Sequence, residues 1–261
     1  LSGMKSHVVL PETADLTTDA DAELSRLVAR YQNAGGVGFE ILNALGTRAE
    51  SVFDQLPPSV RDGLDAATEA ALHQAMRAAH GSRKLVGDRT PWINRAMASA
   101  LGAAGGAGGV PSALVELPVT TMVLLRAIQA EAVSLGFDPE SENVQFDCVQ
   151  VFGAAGPLSR DDGADLAFMG TRLALSSGAM QTLIAKVVPK LAVVFGQKIA
   201  MQAVPVIGAM TGAATNYAFI SYYQNVAHVH FGLRRLSIES GRNHEDLVAE
   251  LNQRMMGPST T

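Results

Sequence analysis

Apolar residues recur at three- and four-residue spacing along most of the chain, and no run alternates Val, Ile, Thr or aromatic residues with polar ones. That period predicts amphipathic helices rather than strands. The expected fold is all-α: a compact multi-helix bundle with a long apolar C-terminal helix or helix pair. A tail over 1–20 precedes a single helical domain over 21–261. Leu24, Leu27, Val28 and Tyr31 form the first apolar stripe, in a segment from Asp21 to Leu45. Pro57-Pro58 opens the next helix, which passes Leu64, Ala71 and Met76 to about His80 and stops at Gly81. Thr90-Pro91 starts another, with Thr90 as its cap. A glycine-rich stretch from Gly102 to Gly109 then leads to a helix from about Pro118 to Leu135, with Gly136 beyond it. Asp138-Pro139-Glu140 opens a further helix that ends at Gly153.

From Ile199 to Leu233 no residue carries a formal charge when His is neutral. About 20 apolar residues suffice to cross a bilayer. Yet Gln202, Asn216, Gln224, Asn225, His228 and His230 place too many polar groups here for a simple lipid-facing span. The stretch reads as a core helix or helix pair, broken near Pro205.

Charge changes the picture. The chain has a net charge of -5, but residues 166–238 contain no carboxylate and carry six cations, so the rest holds 25 acidic residues against 20 - 6 = 14 basic ones. One positive, apolar surface suits anionic lipid head groups, a polyanion or an acidic partner domain. Lys186, Lys190 and Lys198 recur on an apolar helical segment and are expected to form a membrane-facing basic face from which their side chains snorkel. The basic residues are few and lack interleaved aromatics, which argues against nucleic acid. With 48% hydrophobic residues, 5% aromatics and ten Met, the interior is adaptable enough to line a site for an apolar small ligand. The single cysteine, Cys148, excludes an intrachain disulfide, and Leu1 to Leu16 lacks the apolar run of a signal peptide. Both features lead to an expected cytoplasmic location, peripheral on the inner membrane face.

No strong catalytic motif stands out. The glycine cluster lacks the following Lys-Ser/Thr pair of a phosphate loop, and no cofactor is expected. His228 and His230, two apart, cannot share one helical face, so no metal site is expected. Glu116 precedes the helix that Pro118 opens, Thr120 lies in its first turn and Arg126 follows; capping explains Glu116, and a ligand contact is the functional alternative. Asn216, Tyr223, His230 and Arg234 return to one face of an apolar helix, where unsatisfied polar groups are costly and need a partner. That partner is Glu116 or another buried group, or else a ligand head group. A rival to the binding reading is a hydrolase acting on a lipid or peptide, with Glu116 or His230 as acid or base. A third reading is a scaffold for a transporter.

Gly105-Gly106-x-Gly108-Gly109, Glu116-Leu117-Pro118-Val119-Thr120-Thr121 with Arg126-Ala127-Ile128, Ala203-Val204-Pro205-Val206-Ile207-Gly208, and His230-Phe231-x-x-Arg234-Arg235-Leu236 together resemble the EcsC family. The resemblance covers roughly residues 70 to 241. It implies an α-helical, cytoplasmic, membrane-associated bacterial protein, one relative being encoded with an ABC transporter and linked to secretion or peptide processing. It implies no biochemical activity. Where relatives carry Asp-His upstream of the His-Phe motif, this chain has Ser221-Tyr222, and it has Ser237 where they carry Glu. Those departures favour binding over catalysis.

Overall fold

A helix of 33 residues, Gly208–Ser240, is buried over most of the stretch from Asn216 to Leu236, and several other helices pack against it. The computed structural model describes residues 13–32, 58–83, 117–153, 178–202 and 208–256. Every regular element among these residues is a helix: α1 (Thr13–Gln32), α2 (Pro58–Arg83), α3 (117–134), α4 (Glu142–Phe152), α5 (Ala179–Gln202), α6 (Gly208–Ser240) and α7 (His244–Met256). The apolar residues of α6 are spread around its circumference, with Phe219, Ile220, Val226, Val229, Phe231 and Leu233 all enclosed. A helix apolar all round belongs in a core. It packs against α1, α4, α5 and α7, while α2 lies on α5.

Two glycines set how closely these helices approach. A Cβ on Gly232 of α6 would meet a Leu27 methyl of α1 at 2.6 Å. One on Gly153, at the end of α4, would meet Val187 of α5 at 2.3 Å. Leu27 opposite Gly232 and Arg30 beside Asn225 give α1 and α6 opposite directions. The same holds for α4, whose Asp147 meets Arg234 and whose Phe152 meets Tyr223. On α7, Arg254 donates to the carboxylate of Asp21 at 3.1 Å and to the Ser25 hydroxyl at 2.9 Å, tying the last helix to the first.

Several boundaries differ from the sequence pattern. Helix α1 begins at Thr13, inside the expected tail; its polar first turns carry no apolar stripe to reveal them in the sequence. Helix α2 continues through Gly81 to Arg83, since one glycine costs a helix only about 1 kcal/mol. Asp138 accepts the Glu140 amide at 2.9 Å in a turn, so α4 starts at Glu142 rather than at Pro139. Gly136 does end α3, at φ 88°, with the Phe137 amide bonding to the Ala132 carbonyl and the Gly136 amide to that of Val133. The long uncharged stretch is a helix pair, with α5 ending at Gln202 and α6 starting at Gly208. Residues 84–116, including the Thr90 cap, the glycine cluster and Glu116, lie outside the described residues, as does Pro205.

Candidate functional site

Helix α5 has an apolar buried face and a basic outer one. Leu183, Ile184, Val187, Leu191 and Phe195 are buried, whereas Thr182, Ala185, Lys186, Pro189, Lys190 and Val193 are exposed. The outer stripe therefore mixes small or apolar side chains with two cations and no acid. Among the described residues, Ala179–Ile199 is a segment long and apolar enough to cross a membrane by length and composition, and 56% of it is buried within the bundle.

The third expected member of the basic face is elsewhere. Lys198 is only 3% exposed and reaches the Thr120 hydroxyl of α3 at 3.4 Å. The reason is helical drift. At about 100° per residue, Lys190 stands roughly 40° around from Lys186, but Lys198 stands roughly 120° around and turns into the core. Lys198 and Thr120 thus form a buried polar contact joining α5 to α3. Thr121, beside them, bonds back to the Leu117 carbonyl at 2.7 Å.

At its C-terminal half the stripe on α6 meets protein groups. Asp147 of α4 is bonded by Arg234 and lies 3.7 Å from His230 Nε2. Burial pushes the Asp147 carboxyl up, but His230 and Arg234 beside it outweigh burial and hold it below the ordinary carboxylate range. Arg234 also sits over the Phe137 ring at 5.0 Å, and His230 packs edge-on against His244 of α7. His230 is 4% exposed, with both ring nitrogens shut off from solvent. The arrangement latches α4 and α7 onto α6.

A second latch is absent from the sequence reading. His228, on the other face of α6, bonds Glu131 of α3 at 3.0 Å, and Arg30 of α1 approaches the same carboxylate at 3.7 Å while donating to Asn225 at 3.2 Å. Each histidine of the pair thus reaches a different carboxylate, Glu131 buried and Asp147 half-buried. The signal available was composition: Glu131 interrupts an otherwise apolar helical face.

Asn216 and Tyr223 complete the stripe, both buried. Tyr223 packs edge-on against Phe152 at 5.2 Å, its hydroxyl has no hydrogen-bond partner among the described residues, and burial raises its ionisation well above the ordinary phenol value. A buried orphan hydroxyl costs about 1–3 kcal/mol. Tyr223→Phe should therefore raise stability by about 1 kcal/mol, read as an upward shift of roughly 2–4 °C in thermal melting. Arg126 is half-buried on α3, away from the Asp147 latch in sequence and element. Glu116, and with it the proposed pairing with His230, lies outside the described residues.

These features define an all-α protein whose central helix is latched by internal ion pairs and whose α5 offers a basic outer face. The EcsC protein family model matches residues 82–236, more than half of the chain, and the chain belongs to that family. No curated protein and no solved structure matches it.

Proposed function

We propose that this protein attaches peripherally to the anionic, cytoplasmic face of a bacterial membrane through α5, in a role accessory to transport or secretion. The observation that carries this reading is the outer stripe of α5, where Lys186 and Lys190 flank Ala185, Pro189 and Val193 in a stretch without carboxylates. Ordinary solvated helices mix both signs of charge. A cationic face with apolar positions between the charges matches the chemistry of a bilayer surface. The buried, paired state of His230 likewise favours binding over hydrolysis.

The test is vesicle flotation. The protein should rise with phosphatidylglycerol-containing vesicles at low salt, rise less as salt screens the lysines, and stay down with pure phosphatidylcholine. Equal flotation with both lipids would remove the electrostatic basis of the proposal.

A further inference from the structure

Four large hydrophobic side chains stand exposed among the described residues: Val119 at 40%, Val193 at 49%, Tyr217 at 45% and Ile238 at 68%. Singly, exposed apolar residues need no explanation. Their placement along the bundle is informative. Helices α5 and α6 pack against each other and are joined by five residues, so they run antiparallel. Val193 lies 202 - 193 = 9 residues before the end of α5, and Tyr217 lies 217 - 208 = 9 residues after the start of α6. At 1.5 Å per residue both stand about 13 Å from their helix ends, at one level of the bundle. The Lys198 to Thr120 contact sets the first described turn of α3, with Val119, against the same half of α5. Ile238 is at the opposite end of α6, next to Glu239.

We infer that Val193 and Tyr217, at one level of the α5–α6 pair, enter the head-group layer of an anionic bilayer. This rests on the attachment proposed above and adds what it lacks, an apolar anchor and an orientation. Charge complementarity selects the occupant. Lys190 is one turn from Val193 and Lys186 one turn further, and neither α5 nor α6 carries a carboxylate before Glu239. Lysine stems can lie along the apolar surface with their ammonium groups at the phosphates, while a tyrosine places its ring among the chains and its hydroxyl in the wet layer. Ile238, flanked by acid, is left in water.

The experiment uses the full chain with Val193→Cys, Tyr217→Cys or Ile238→Cys, each labelled with an environment-sensitive fluorophore and mixed with vesicles of equal parts phosphatidylglycerol and phosphatidylcholine. Cys148 is buried, so the unsubstituted protein serves as the labelling blank. A blue shift at 193 and 217 with none at 238 is the expected result. Flotation with no shift at 193 and 217 would overturn the anchor and leave electrostatic attachment standing. A shift at 238 equal to the other two would overturn the orientation. Failure to float at all would remove both this inference and the attachment on which it rests.

Discussion

Reversing both exposed lysines, Lys186→Glu with Lys190→Glu, should abolish flotation with anionic vesicles while leaving the melting temperature nearly unchanged. Each cation near such a surface contributes about 1 kcal/mol, so removing two weakens partitioning roughly thirtyfold. Reversal adds repulsion of similar size and takes the loss to the order of a thousandfold. Neither side chain makes an ion pair with any described carboxylate, and both extend into solvent, so the fold loses little. Lys198 is the internal control. Buried against Thr120, it contributes to packing rather than to the outer face. Lys198→Gln should therefore float as the unsubstituted protein does but melt earlier, by an amount corresponding to about 1–3 kcal/mol. If the three substitutions instead lowered flotation in proportion to charge wherever the lysine sits, attachment through one face of α5 would be wrong.

The contrast among these lysines marks where sequence pattern stops being informative. Periodicity near 3.6 was enough to give an all-α fold and the glycine stop of α3, and of the two readings of the long uncharged stretch, one helix or a pair, the structure has the pair. These are local properties, set by neighbours within a few turns. The first turns of α1 escaped because a helix start rich in Thr and Asp has no apolar face to display. Lys198 escaped because spacing was read as alignment, whereas angular drift accumulates over twelve residues. The stripe of Asn216, Tyr223, His230 and Arg234 was correctly placed on one face, since steps of seven and four residues nearly cancel that drift. Its partner was not legible. Asp147 is 83 residues from His230 in sequence, and only the packing of α4 across α6 brings the two within 3.7 Å. The Glu131 latch depends in the same way on how α1, α3 and α6 meet.

Removing the Asp147 carboxylate should be strongly destabilising. Asp147→Ala takes away the acceptor for Arg234 and the counter-charge for His230 together, leaving cationic or polar groups largely enclosed without their partner. Hydrogen bonds to charged groups contribute about 1.5–3 kcal/mol each, and both latch residues are mostly but not wholly buried, so a loss of about 3 kcal/mol is expected in urea unfolding. The pH dependence has a defined sign. Because the folded state holds this carboxyl below its ordinary value of 3.8, the unfolded chain binds its proton more readily. The contribution is fully present above the unfolded value and disappears as pH falls through the lower folded value. The gap in stability between the unsubstituted protein and Asp147→Asn should thus be constant above about pH 5 and narrow as the solution becomes more acidic than pH 4. A gap that stays constant through that window would mean that Asp147 acts through shape alone. A gap that narrows would establish the charged latch as the element that fixes α4 across α6, with α5 in turn seated against α4 where Gly153 meets Val187.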